Sequence, residues 1–145
     1  MKIHLAALAF LVAVTSSFAA EPGAPAVSPS VAKDSRCFEL RTYYAAPGKF
    51  EAMHARFRDH TCALFRKHGM EIIGFWIPTD QEPGAAPRLI YLLAHPSRAA
   101  AKQSWAAFAS DPAWVQARNA SEAGGKLVEK AESVYLSATD YSPLK

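Results

Sequence analysis

Two kinds of hydrophobic pattern follow one another along this chain, and their order is what most limits its possible folds. Alternating or short apolar runs typical of β-strands occur at 37–44, 70–77, 88–95 and 130–137. Apolar residues at helical spacing fill 50–68, and a second helical region begins after the cap residue Ser97. The order β-α-β-β-α-β with right-handed crossovers predicts a ferredoxin-like α+β fold, a four-stranded antiparallel sheet with two helices on one face.

Short local signals mark the ends of the predicted helices. The first helix should end at Gly69, because cationic residues precede a glycine that can adopt the left-handed conformation. The second helical region should be interrupted at Asp111-Pro112, where the aspartate can cap a new helix that begins with the proline. Trp105, Phe108 and Trp114 lie at helical spacing and are expected in the core.

The first 34 residues have the composition of an export signal followed by a linker. Residues 1–19 hold a positive start, an apolar run and small residues before a cleavage site expected after Ala19, which predicts a signal peptide. The apolar run is too short to span a bilayer, so no membrane span is expected after cleavage. Residues 20–34 are rich in proline, alanine and serine and predict a flexible linker. The folded domain is expected at 35–143, in the periplasm or outside the cell.

Charge and motifs exclude several classes of function. The formal net charge is only +3 and the basic residues form no stripe, so nucleic-acid binding is not expected. No phosphate-binding glycine loop and no metal-binding histidine pair occurs, so neither a cofactor nor a metal is expected. His95, before a proline, is expected to face a loop. Cys37 and Cys62 are expected on opposite sides of the sheet, as free thiols rather than as a disulfide.

The two faces of the predicted sheet differ in chemistry. Because side chains alternate along a strand, Glu39, Arg41 and Tyr43 share one face of the first strand. We expect this face to be the one without helices, together with Cys37, Ser133 and Tyr135. The face under the helices is expected to carry Phe38, Leu40, Val134 and Leu136. The apolar content of the third strand predicts that the open face packs on the sheet of a second copy, which makes a homodimer.

Several blocks of the chain, in order, resemble the NIPSNAP family. They are FELRTYYAAPGKFEAM, FRDHTCALFRKHG, IIGFWIPTD, YLLAHPSRAAAKQSWAAFASDPAW and KAESVYLSATDYSP, which together run from about Phe38 to Pro143. The resemblance implies a dimeric α+β barrel, in which two ferredoxin-like units join their open sheet faces. Barrels of this kind often enclose a ligand or a cofactor-independent active site. The resemblance implies no particular reaction, because the family has no generally established one.

The sequence leaves three functions open. The first is the binding of a small, partly apolar or anionic ligand in the lumen of the barrel. The second is a cofactor-independent enzyme, monooxygenase-like or isomerase-like, acting in the same lumen. The third is a protein-interaction module without a ligand. The charges on a central strand must reach water, each other or a ligand, so an internal ion pair is the alternative to a binding role for Glu39 and Arg41.

The candidate ligand-binding residues follow from these expectations. They are Glu39, Arg41, Tyr43, His60, Trp76 and Tyr135. Arg41 is expected to bind an anionic group, because its planar guanidinium matches a carboxylate. Glu39 is expected to hold Arg41 in place, or to act as a base if burial raises its pKa. His60 lies at the edge of the apolar stripe of the first helix and is alternatively a core histidine. Trp76 fits either face of its strand.

Overall fold

The structure is a computed structural model that describes residues 27–80 and 82–145. The expected signal peptide at 1–19, and the part of the expected linker at 20–26, lie outside the described residues. The strands are β1 (Cys37–Ala45), β2 (Glu71–Trp76), β3 (Arg88–His95) and β4 (Val128–Ser137). The helices are α1 (Phe50–Arg56), α2 (Cys62–Lys67), α3 (Arg98–Ser110) and α4 (Pro112–Ser121), and a π-helical segment (Phe57–Thr61) joins α1 to α2.

The sheet has the strand order β2-β3-β1-β4, and every neighbouring pair is antiparallel. This is the order of the ferredoxin-like fold, so the predicted fold class is confirmed. The helices form two arms, the first made of α1, the π-helical segment and α2, and the second made of α3 and α4. Both arms pack on one face of the sheet, over a core formed by Phe65, Phe108 and three residues of β3, Leu89, Tyr91 and Leu93. Among the described residues, no helix is long and apolar enough to cross a membrane.

The predicted helix boundaries are found where the local signals put them. Gly69 ends α2 with φ 71°, and the N–H of Met70 returns to the carbonyl of Phe65 at 2.9 Å. Ser97 caps α3 by accepting from the N–H of Ala100, and Asp111 caps α4 by accepting from the N–H of Ala113.

The assignment of the two sheet faces was wrong. Glu39 is 0% exposed and accepts a hydrogen bond from the indole of Trp105 on α3, so its face of β1 is the one under the helices. Val134 and Leu136, expected under the helices, are 54% and 41% exposed on the opposite face. Alternation sorts the residues of a strand into two sets, but it does not say which set the helices cover. Burial of Glu39 is possible because its carboxylate accepts hydrogen bonds from residues on β1, β3, β4 and α3.

The segment before β1 is attached to the end of the chain. Val31 forms a β-bridge with Thr139, and the N–H of Ala32 donates to the carbonyl of Ala138 at 2.9 Å. This part of the expected flexible linker therefore pairs with the C-terminal segment. The two cysteines form no disulfide, as expected, but Cys37 lies on the helix side of the sheet with Glu39, not on the open side.

Candidate functional site

A buried carboxylate, that of Glu39, organises the helix side of the sheet beneath α3. Its Oε1 accepts from Nη1 of Arg41 at 2.5 Å and from the hydroxyl of Ser133 at 2.8 Å. Its Oε2 accepts from Nε1 of Trp105 at 2.6 Å and lies 3.2 Å from Nε2 of His95. Residues from β1, β3, β4 and α3 thus converge on one carboxylate, and both of its oxygens are fully used.

These hydrogen bonds fix the charge of Glu39. Burial by itself raises the pKa of this carboxyl, but the donors from His95, Trp105, Ser133 and Arg41 outweigh burial and lower the pKa to about 2. The alternative in which Glu39 acts as a base with a raised pKa was therefore wrong. An ionised carboxylate with four donors is a weak proton acceptor, and its role is to hold its partners in place.

Arg41 is held by this carboxylate, but the hydrogen-bonding capacity of its guanidinium is not fully used. Its guanidinium lies 4.3 Å from the ring centroid of Trp105 and 5.4 Å from that of Tyr43, both within cation–π range. Nη2 makes only a long contact of 3.4 Å with the Tyr43 hydroxyl, and Nε has no partner among the described residues. Burial lowers the pKa of Arg41, but the oxygens of Tyr91, Tyr43 and Glu39 outweigh this effect and raise it, so the group stays charged.

The rim of this cluster is open to solvent along β4. The side chain of Arg41 is 17% exposed, and Ser133 on the neighbouring edge strand is exposed. Farther along the same face, Arg98 from the first turn of α3 lies 3.7 Å from the ring centroid of Tyr135. Burial and the nearby Glu39 carboxylate raise the pKa of Tyr135, so its hydroxyl remains a donor. A cavity of about 430 Å³ opens here, lined by Cys37, Arg98 and Tyr135 among others.

The other candidate residues do not all join the cluster. Tyr43 points into the core, where its ring meets Phe57 edge-on at 5.9 Å. His60 is exposed on the π-helical segment and lines a shallow cavity against α4, so neither of its expected positions is found. The extra residue in the π turn shifts the helical phase and turns His60 outward. Trp76 is 52% exposed on the open face, where its indole lies across Gly74.

Four members of the cluster were not recognised from the sequence as site residues, and one of them, Ser133, was expected only to share a sheet face with Glu39. His95, expected to face a loop, has a fully buried side chain and contacts Glu39. Trp105 was expected only as a core residue, and Arg98 was not singled out. The signal that could have found His95 is its register, because His95 ends β3 opposite the first residue of β1, Cys37. Within the part of the chain that the structure describes, no three His, Cys, Asp or Glu side chains are grouped to hold a metal ion.

The fold and this buried polar cluster define a ferredoxin-like α+β protein with charged side chains under its helices. A family model for NIPSNAP matches residues 38–143, which is most of the chain. The chain therefore belongs to the NIPSNAP family, as the sequence blocks indicated. No curated protein matches it.

Solved structures of the same family have the same fold. A NIPSNAP family protein of unknown function from Agrobacterium tumefaciens is 22% identical with a TM-score of 0.67, over 80% of this chain and 99% of that one. An uncharacterised NIPSNAP-like domain protein from Burkholderia xenovorans is 16% identical with a TM-score of 0.63, over 76% of this chain and 90% of that one. At these identities the likeness establishes the fold alone.

Proposed function

We propose that this protein is an exported, homodimeric NIPSNAP protein that binds a small anionic ligand beside Arg41, on the helix side of the sheet. The observation that supports a ligand is the difference in hydrogen bonding between Glu39, whose acceptors are all used, and Arg41, whose donors are not. Glu39 spends both oxygens on four donors, while Nε and Nη2 of Arg41 keep capacity for a further acceptor. A guanidinium held in this way is ready to bind a carboxylate without first losing conformational freedom.

The charges around the rim favour an anion. Arg41 and Arg98 are both cationic; Ser133 lies opposite Arg41 in the sheet register, and the ring of Tyr135, on the same face of β4, lies under Arg98. Glu39 is the carboxylate of this cluster, and its charge is already compensated by Arg41. Two guanidinium groups and the Tyr135 hydroxyl suit a small dicarboxylate better than a neutral molecule, whereas the Ser133 hydroxyl already donates to Glu39. The ligand site proposed here replaces the expected site in the lumen, because Glu39 and Arg41 do not face the open side.

The open face supports the homodimer. Val134, Leu136 and Trp76 are exposed there, and Leu40, Ile90 and Leu92 are only half-buried. These apolar residues extend across all four strands, and monomeric proteins seldom leave such a surface in water. A second copy offers the same twisted apolar surface, so two sheets can cover each other face to face. Export rests on the apolar run and cleavage signal of residues 1–19.

Ligand binding is favoured over catalysis by the protonation state of Glu39. A carboxylate with a pKa of about 2 is ionised at neutral pH, yet it is too weakly basic to remove a proton from a substrate efficiently. The low pKa of Glu39 therefore supports a role in orienting Arg41 rather than a role in proton transfer.

Calorimetric titration with succinate tests the ligand proposal, with acetate as the comparison that offers one carboxylate. Arg41→Gln and Arg98→Gln should each weaken succinate binding at least tenfold. The matched control is Arg118→Gln, because Arg118 is exposed on α4 and makes no ion pair with any described residue. Unchanged succinate affinity in both site variants, or no succinate binding by the wild type at millimolar concentration, would overturn the proposed ligand site.

A further inference from the structure

A second cavity lies on the other side of the core, between the first helical arm and the end of β2. We call it the β2 groove. Its volume is about 260 Å³, and it is lined by His54, Phe57, Arg58, Cys62, Phe75, Trp76, Ile77 and Leu89. None of these residues belongs to the cluster around Glu39. The groove is therefore a separate site, whose occupant must be argued from its own lining.

The π-helical segment shapes one wall of the β2 groove. The N–H of Cys62 donates to the carbonyl of Phe57, five residues back, where an α-helix would use a residue four back. The Thr61 hydroxyl donates to the carbonyl of Arg56 at 3.2 Å and supports the widened turn. In a π turn, residues five apart lie one above the other, so Phe57 and Cys62 come to the same wall. At the uniform 100° step of an α-helix, Cys62 would instead lie well away from the apolar stripe of this helix.

The polar atoms of the β2 groove are all suited to an anion. Nε2 of His54 is buried and has no hydrogen-bond partner among the described residues. Arg58 lies one helical turn later, is exposed, and forms no ion pair with any residue that the structure describes. Burial raises the pKa of Cys62, so its thiol is neutral, and no carboxylate lines the groove. The adjacent Asp59 lines a different cavity, on the side facing α4.

The remaining lining is apolar and sets the size of the occupant. The rings of Phe57 and Phe75 meet edge-to-face at the inner wall, with centroids 5.6 Å apart. Trp76, Ile77 and Leu89 complete the apolar lining. A cavity of about 260 Å³ has room for roughly nine water molecules at about 30 Å³ each, so it suits one ring or a short aliphatic chain and not a long acyl chain.

We propose that the β2 groove binds a small monocarboxylate with an aromatic or short aliphatic tail. Its carboxylate pairs with the guanidinium of Arg58 and accepts from the imidazole of His54, which satisfies a buried nitrogen that has no partner in the protein. The tail lies against Phe57 and Phe75, where edge-to-face contacts with a third ring are available.

Calorimetric titration of the wild-type chain with phenylacetate tests this proposal, with phenylacetamide and acetate as comparisons. Phenylacetate should bind, the neutral amide should bind at least tenfold more weakly, and acetate should bind at least tenfold more weakly because it lacks the ring. Arg58→Gln should weaken phenylacetate binding at least tenfold. This variant should fold normally, since Arg58 is exposed and has no ion-pair partner among the described residues.

Two further variants separate this proposal from the site beside Arg41. Arg118→Gln and Arg98→Gln should leave phenylacetate binding within twofold of the wild type, because both arginines are exposed and neither lines the β2 groove. If Arg98→Gln abolishes phenylacetate binding, the ligand occupies the site beside Arg41 and Arg98, and the β2 groove proposal is wrong. Equal binding of phenylacetate and phenylacetamide, or wild-type affinity in Arg58→Gln, would overturn it as well.

Discussion

Replacing Glu39 by glutamine should destabilise this protein strongly at neutral pH. The amide keeps the shape of the side chain, but one of the two acceptor oxygens of Glu39 is replaced by an NH₂ group. This NH₂ group then faces N–H or O–H donors and cannot accept from them. Depending on its orientation, either Arg41 or Trp105 loses its acceptor, and the guanidinium loses its counter-charge. Breaking a buried ion pair by removing one partner costs about 3–5 kcal/mol. We therefore expect Glu39→Gln to lose about that much free energy of unfolding at pH 7.

The pH dependence gives an independent measure of the same interactions. Lowering the pKa of Glu39 from 4.5 to about 2 corresponds to roughly 3 kcal/mol at about 1.4 kcal/mol per pKa unit. Because the pKa is lower in the folded state than in the unfolded state, this stabilisation is present above about pH 4.5. It is lost as the pH falls from there to about 2. The wild type should therefore approach Glu39→Gln in stability on acidification, since the variant has no carboxyl to protonate.

Urea unfolding followed by circular dichroism at pH 7, 4 and 2.5 measures both effects. Glu129→Gln is the matched control, because Glu129 is exposed on β4 and pairs with Lys126 at 3.0 Å on the surface. It should change the free energy of unfolding by less than about 0.5 kcal/mol. A loss below about 1 kcal/mol for Glu39→Gln at pH 7, or a gap to the wild type that does not narrow in acid, would refute the reasoning.

Three further expectations concern assembly, a helix cap and export. Light scattering should give twice the chain mass for the wild type and one chain mass for Val134→Asp, which puts a charge on the open face. The control Ala131→Asp changes an exposed residue on the opposite face of β4 and should stay dimeric. A wild-type monomer would contradict the sheet interface. Asp111→Asn should lower the melting temperature at pH 7, because the ionised carboxylate caps α4 and pairs with Lys67 at 2.6 Å. Hydrogen bonds from Lys67 and then His68 lower the pKa of Asp111, so the difference from the wild type should shrink only below the ordinary aspartate range; a constant difference would contradict this. The N-terminal sequence of exported material should begin at Ala20 or Glu21, and an intact Met1 there would contradict cleavage of a signal peptide.

Much of the fold was determined by local properties of the sequence. Strand and helix positions follow from periodicity, and the ends of the helices follow from single residues such as Gly69 and Asp111. The strand order then follows from general rules on crossovers, because few topologies accommodate β-α-β-β-α-β. The pairing of Glu39 with Arg41 was also available from the sequence, since residues two apart on a strand point the same way.

The tertiary structure alone decided which way the sheet faces and what the charged residues meet. Alternation on β1 is compatible with either face under the helices, and burial of apolar residues favoured the wrong one. The choice depends on donors that are distant in sequence: Trp105 is 66 residues from Glu39, and Ser133 is 94. A buried carboxylate is tolerable only when such donors converge on it, and their convergence is a property of packed elements that no local pattern contains. The same holds for the β2 groove, whose wall exists because one extra residue in a helical turn moves Cys62 beneath Phe57.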